Sequence, residues 1–176
     1  MSNSSSKRQQ SKVFGEVAEI YHRVRPGYPE DLYDWILETS GVNQDELLID
    51  VGCGTGKASI SFVKRGFTVI GIEPDPMMAR IAAREFNDFE TFSIEQRTLD
   101  DFGAASAEAG LMYAGQSWHW MNPDTRFECA ASALKPGGWL CVFWNRPEEM
   151  HHSFDREMDY LYAELAPHFN DERFKV

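Results

Sequence analysis

Leu47-Leu48-Ile49-Asp50-Val51-Gly52-Cys53-Gly54-Thr55-Gly56 decides the fold of this chain. Leu47, Leu48, Ile49 and Val51 make a short apolar run, the pattern of a strand buried on both faces. Three glycines at alternate positions follow, and a helical pattern starts at Ala58, Ile60, Phe62 and Val63. Strand, glycine turn and helix together open a nucleotide-binding βα unit. Glycine lets the backbone turn tightly and lie against a ligand. The following helix presents free N–H groups and a positive dipole end. A glycine cluster alone also occurs in tight turns that bind nothing.

The next strand adds weight. Phe67-Thr68-Val69-Ile70-Gly71-Ile72 ends on Glu73, 21 residues after Gly52. An acidic residue about 20 positions on, at the tip of the second strand, is placed to accept both hydroxyls of a ribose. The bland reading of Glu73 is a solvated charge at a strand end.

The 176 residues fit one domain. We expect a disordered tail over 1–12, rich in Ser, Gln, Lys and Arg, and a single domain over 13–176. The 43% hydrophobic and 13% aromatic content is that of a chain with a core. A net charge of −11 argues against nucleic-acid binding, which needs basic surface. Cys53, Cys129 and Cys141 form no CxxC and no even framework, so a reduced, cytoplasmic setting is expected. Nothing near Cys53 marks an activating base, so it is not read as a nucleophile. No apolar run approaches ~20 residues, and the polar N-terminus lacks a signal-peptide core. The histidines have no metal-site spacing.

Along the chain, Val13 to Tyr21 reads as a helix, broken at Arg25-Pro26-Gly27-Tyr28-Pro29. A second helix covers about 30–40 and stops at Gly41. After Glu73, Pro74 and Pro76 start a helix over 76–86. Phe89 to Ile94 reads as a third strand, and Gln96 to Phe102 as a loop. Gly110 to Ala114 is a fourth strand, with Gln116-Ser117-Trp118-His119-Trp120 directly after it. A helix follows over about 123–134. Lys135-Pro136-Gly137-Gly138 is a turn, Trp139 to Trp144 a fifth strand, and 151–166 a final helix. Strands alternating with helices give a parallel sheet with right-handed crossovers. Its ligand sits at the carboxyl ends of the strands.

These residues resemble the class I S-adenosylmethionine-dependent methyltransferases, and among them the small-molecule type 11 group. The matching stretches are Ile49 to Gly56, Gly71 to Met78, Gln116 to Trp120 and Leu134 to Gly138, with Tyr21 to Pro29 upstream. The resemblance covers about residues 13–145. It implies a Rossmann-like, doubly wound, mostly parallel α/β sheet of order 3-2-1-4-5, with helices on both faces and an N-terminal helical lid. The cofactor it implies is S-adenosyl-L-methionine. Gly52, Cys53 and Gly54 would pass under the methionine part of that cofactor. Asp50 would hold the turn or meet its amino group. Glu73 would grip the ribose, Pro74 and Met78 would flank the adenine, and Thr98 with Leu99 would border it. The family often has an acidic residue at that last position; Asp100 is an alternative. Gln116 would border the methyl group, and Tyr21 and Arg25 would form the lid.

The sulfonium already makes its methyl group electrophilic, so the protein must align an acceptor in line behind it and exclude water. A base is needed only where the acceptor must lose a proton. His119 is the candidate for that role or for substrate contact, against the reading that Trp118, His119 and Trp120 simply pack a loop. The aromatic residues Tyr21, Tyr28, Trp118 and Trp120 suggest a largely apolar pocket. The expected partner is a small-molecule methyl acceptor, with no nucleic acid and no membrane. The family sheet usually continues with two more strands, and we expect this sequence to lack them after the fifth. A shortened chain, a naturally short form and an edge covered by another chain all remain open. A homodimer through that edge is expected from the last of these. Two other functions compete: a non-catalytic cofactor- or partner-binding module, and a nicotinamide-dependent oxidoreductase. The second would need GxGxxG, with Gly where Lys57 stands.

Overall fold

The computed structural model describes residues 18–102 and 108–146. The chain divides into two compact units, Met1–Trp144 and Asn145–Val176. In the second, only Asn145 and Arg146 are described, so every strand and helix below belongs to the first. The expected tail over 1–12, the start of the first helix and the helix over 151–166 lie outside the described residues.

Five parallel strands form one sheet of order β3-β2-β1-β4-β5. They are β1 (Leu47–Val51), β2 (Thr68–Ile72), β3 (Phe92–Glu95), β4 (Ala109–Gly115) and β5 (Leu134–Phe143). The helices are α1 (Ala18–Val24), α2 (Glu30–Ser40), α3 (Ser59–Lys64), α4 (Pro76–Glu85), α5 (Leu99–Phe102) and α6 (Arg126–Ala133). The alternation is the one the sequence pattern implies, and the order is the one the resemblance implies. No described helix is long and apolar enough to cross a membrane.

β1 sits at the centre because both of its faces are apolar. Successive side chains of a strand point to opposite faces. Leu48 joins Val69, Leu111, Tyr113 and Phe62 on one side. Ile49 and Val51 join Ile72, Met112 and Ala114 on the other. Asp50 follows Leu48's side, opposite Tyr113 on β4. A carboxyl group is thereby built into the core directly beneath the glycine turn.

Helix ends follow their local chemistry. Gly41 takes φ 62 and donates its N–H to Leu37 O, closing α2. Asp75 caps α4: its Oδ1 accepts from Met77 N at 2.9 Å and Met78 N at 3.0 Å, with Pro76 in the first turn.

Four elements depart from the sequence reading by more than one residue. β3 begins at Phe92, not Phe89, because Phe89 N closes a turn on Phe86 O and the Phe86 and Phe92 rings stack at 3.9 Å. Residues expected as loop form the single turn α5, which buries Leu99 and Phe102 at i and i+3. α6 starts at Arg126 because Asn122 holds the preceding turn, its Oδ1 accepting from Asp124 N and its carbonyl from Arg126 N. Lys135 to Gly138 turns as expected, but inside β5. Leu134 pairs with Ala109 and Trp139 with Leu111, so four residues bulge out opposite Gly110.

Candidate functional site

Because the strands are parallel, the ends of β1, β2 and β4 release their chains on one edge of the sheet. A cavity of about 320 Å³ lies there. It is lined by the glycine turn, by Glu73 to Asp75, by Met78 of α4, by Tyr21, Arg25 and Tyr28, and by Gly115 to Ser117 with His119 to Met121.

The turn is anchored to β2: Gly52 N and Cys53 N both donate to Ile72 O, at 2.8 and 3.1 Å. Its glycines serve different ends. A Cβ on Gly52, at φ 66, would stand 2.7 Å from Ser117 Cβ, so this position is bare for packing. Gly54, at φ 57, has nothing within 4 Å of where a Cβ would be, and it lines the cavity. A side chain there would occupy ligand space. Cys53 is buried, and burial pushes its thiol well up, which keeps it protonated and unreactive.

Glu73 is the buried charge of the site, 8% exposed. Its Oε2 accepts from Gly54 N and its Oε1 from Asp75 N, each at 2.9 Å. Burial pushes the carboxyl up to about 7, against the lowering effect of these two N–H groups. Each oxygen keeps a further lone pair for a donor in the cavity.

Asp50 does not line the cavity. Its Oδ2 accepts from Ser59 Oγ at 2.6 Å, and Ser59 Oγ lies 3.0 Å from Tyr113 OH. Its Oδ1 is buried without a partner. Burial pushes this carboxyl up to about 7.

One wall comes from the N-terminal segment. Arg25 N donates to Tyr21 O at 2.9 Å, and the guanidinium lies 5.4 Å from the Tyr21 ring centre. α1 rests on α4 through Ala18 and Tyr21 against Met78 and Ile81. The ion pair Arg84–Glu19, at 2.7 Å, joins the same helices, and His22 Nε2 lies 3.4 Å from Glu85 Oε2. The opposite wall follows β4. Gln116 takes φ 62, rare for a non-glycine residue, and its N–H donates to Phe143 O at 2.9 Å. Ser117 Oγ donates to Val51 O, tying this wall to β1. His119 and Trp120 continue it on one turn of 3₁₀ helix, Trp118–Trp120. Trp144 Nε1 donates to His119 Nδ1 at 3.4 Å.

Of the residues singled out in the sequence, Tyr21, Arg25, Gly52, Cys53, Gly54, Glu73, Pro74, Met78, Gln116 and His119 meet around this cavity. Thr98 and Leu99 do not. Thr98 Oγ1 caps α5 by accepting from Asp101 N, and Leu99 is buried in the core with Val51 and Ile72. Asp100, the alternative, turns to α6, accepting from Thr125 Oγ1. Trp118 is likewise core, while Tyr28 and Trp120 line the cavity. Thr55, Lys57, Ser117 and Met121 also line it and were not foreseen. They flank residues that were, so the two motifs marked the segments but not every member.

A family model described as a methyltransferase domain matches residues 21–174. The chain is 33% identical over 146 residues to an uncharacterized methyltransferase of Mycobacterium tuberculosis, covering 82% of this chain and 56% of the relative. It is 30% identical over 128 residues to a probable S-adenosylmethionine-dependent methyltransferase of Saccharomyces cerevisiae, covering 70% and 43%. The chain thus spans about half the length of the curated relatives it matches. A crystal structure of a putative S-adenosyl-L-methionine-dependent methyltransferase from Methanococcus maripaludis shares the fold with a TM-score of 0.63 at 19% identity, over 92% of this chain and 73% of that one. The [4+2]-cyclase SpnF does so equally, at 0.63 and 21%, over 77% and 59%. At those identities the likeness is one of fold.

Proposed function

The chain belongs to the S-adenosylmethionine-dependent methyltransferases, with S-adenosylmethionine as cofactor, and from that premise we propose that it transfers a methyl group to a small-molecule acceptor by in-line displacement. The observation that carries this reading is the pairing of Glu73 with Gly54 inside the cavity. A buried carboxylate with unused lone pairs fits two ribose hydroxyls, and it is fixed to the one glycine whose missing side chain leaves the cavity open. When bound, the cofactor supplies an electrophilic methyl group on a sulfonium.

The protein's own residues then have modest tasks. Glu73 accepts the hydroxyls. Gly54 lets the backbone lie against the methionine part, and Pro74 and Met78 offer apolar contact to the base. Tyr21 of α1 and Arg25 just after it cover the cavity, excluding water. Tyr28, Gln116, His119 and Trp120 form the wall against which an acceptor would be held in line with the methyl group. The acidic balance of the chain favours a small molecule over a nucleic acid as acceptor.

The test is calorimetric titration of the chain with S-adenosylhomocysteine, with NAD as the control. Binding of the first ligand alone supports the reading. Binding of NAD, or of neither by folded protein, overturns it. Turnover over a panel of small acceptors then separates an enzyme from a module that only binds the cofactor.

A further inference from the structure

We propose that the methyl acceptor carries a carboxylate, and that Arg25, Lys57 and Tyr28 form the subsite that takes its charge. The acceptor role rests on the methyl-transfer reading, while the anion subsite stands on the lining of the cavity alone.

One cavity of about 320 Å³ brings the three together from separate parts of the chain. Arg25 follows α1, Tyr28 stands in the turn before α2, and Lys57 lies between the glycine turn and α3. The fold places each of them. The Arg25 guanidinium lies 5.4 Å from the Tyr21 ring centre. The Tyr28 ring meets Phe143 edge-on at 4.8 Å, and a Cβ on Gly115 would stand 2.7 Å from the Tyr28 hydroxyl. Gly115 is therefore bare where that hydroxyl passes the end of β4, beside the acceptor wall. Lys57 is carried in by the turn that Gly56 N closes on Cys53 O at 2.9 Å.

Among the described residues, no hydrogen bond or ion pair engages the Arg25 guanidinium, the Lys57 ammonium or the Tyr28 hydroxyl. The carboxylates of the cavity are engaged by backbone instead. Glu73 accepts from Gly54 N and Asp75 N, and Asp75 Oδ1 from Met77 N and Met78 N. Burial pushes the Tyr28 hydroxyl up, so it stays protonated and offers a donor. A partly buried cation without a counter-charge is costly, the more so once a ligand fills the cavity and drives out water. Charge balance says which ligand relieves it. Glu73 and Asp75 offset Arg25 and Lys57. The cofactor brings a sulfonium, an ammonium and a single carboxylate, so the loaded cavity is left with one positive charge in excess. A carboxylate on the acceptor cancels it, and its oxygens accept from donors that the protein leaves unused.

The test uses pairs of small molecules of like shape that differ in charge: benzoate with benzamide, and hexanoate with hexanamide. Each is titrated calorimetrically into the full chain saturated with sinefungin, whose amine carries the positive charge of the sulfonium. At least one carboxylate should bind, and its amide should bind about tenfold more weakly or worse. Lys57→Met and Arg25→Met should each weaken that carboxylate about tenfold and leave the amide unchanged, with a smaller loss in Tyr28→Phe. Amides that bind as well as carboxylates overturn the proposal. So do folded cation variants that bind the carboxylate like the wild type, and so does a failure of both carboxylates to bind. The cofactor's own carboxylate is separated with 5′-methylthioadenosine, which lacks the methionine end. If the cation variants weaken S-adenosylhomocysteine alone, and neither 5′-methylthioadenosine nor the carboxylates, Arg25 and Lys57 serve the cofactor and the proposal falls. The titrations are repeated without sinefungin. A wild type that prefers carboxylate to amide there, yet binds neither sinefungin nor S-adenosylhomocysteine, sinks the methyl-transfer reading and leaves the anion subsite intact.

Discussion

Glu73 Oε2 accepts the backbone N–H of Gly54 at 2.9 Å, which makes the tip of β2 and the glycine turn after β1 one unit. Glu73→Ala should therefore do two kinds of damage. Two part-buried N–H groups, of Gly54 and Asp75, lose their acceptor, at up to about 1–3 kcal/mol each to the extent that water cannot replace it. The ribose hydroxyls lose theirs as well, so S-adenosylhomocysteine affinity should fall by about tenfold or more. Glu73→Gln keeps an acceptor oxygen and should be milder in both. Thermal unfolding and calorimetry on the two variants check this.

Gly52 and Gly54 should respond differently to alanine. Both have positive φ, at a cost of about 1–2 kcal/mol for a residue with a Cβ. Gly52→Ala also drives a Cβ to 2.7 Å from Ser117 Cβ and should mainly lower the unfolding temperature. Gly54→Ala meets nothing in the protein and should mainly lower cofactor affinity. Equal effects of the two on both readouts would refute this division.

Asp50 gives the protein a signed pH dependence. Burial raises its carboxyl from 3.8 to about 7, so between these values the folded state holds a proton that the unfolded state has released. The group's contribution is complete below about pH 4 and is lost as pH rises through about 7. The slope is at most about 1.4 kcal/mol per pH unit for one group. Glu73, raised to about 7, acts in the same direction. Asp50→Asn should flatten the fall in unfolding temperature between pH 5 and pH 8. A slope as steep as that of the wild type would contradict the assignment.

Glu73 also makes cofactor binding depend on pH. Only its ionised form accepts from both ribose hydroxyls, so affinity for S-adenosylhomocysteine should climb between pH 6 and pH 8. In Glu73→Gln the climb should be absent. Titrations at several pH values, on both proteins, decide it.

Arg84 and Glu19 pin the helix that carries Tyr21 to the one that carries Met78. Both side chains are exposed, so their pairing is weak and screened by salt. Arg84→Met should leave the fold intact and speed cofactor dissociation several-fold at low salt. At high salt the variant and the wild type should converge in stopped-flow measurements.

The features legible in the sequence are those written locally in the chain. The apolar run 47–51, the glycines after it and Glu73 at the tip of the next strand are each fixed by their own neighbours. Parallel topology then brings them together without further information. Thr98 and Leu99 lie outside the cavity's lining, because spacing from β3 does not say which way a single helical turn faces. Leu99 pairs with Phe102 at i+3 and goes into the core. Phe89 has the local pattern of a strand residue, and nothing local reveals that Phe86 and Phe92 stack across it. The Trp144–His119 contact spans 25 residues and exists only because β4 and β5 pair in one register. That register includes a four-residue bulge, which periodicity cannot foretell.

The bulge has a practical use. It lies where Ala109 begins β4, and the cavity lies where Gly115 ends it, about 20 Å away at ~3.3 Å per residue. Gly137, at its turn, faces open space. A short peptide tag spliced in beside Gly137 would tether the protein to a sensor surface by the end remote from its cavity, leaving the mouth free to meet small molecules in flow.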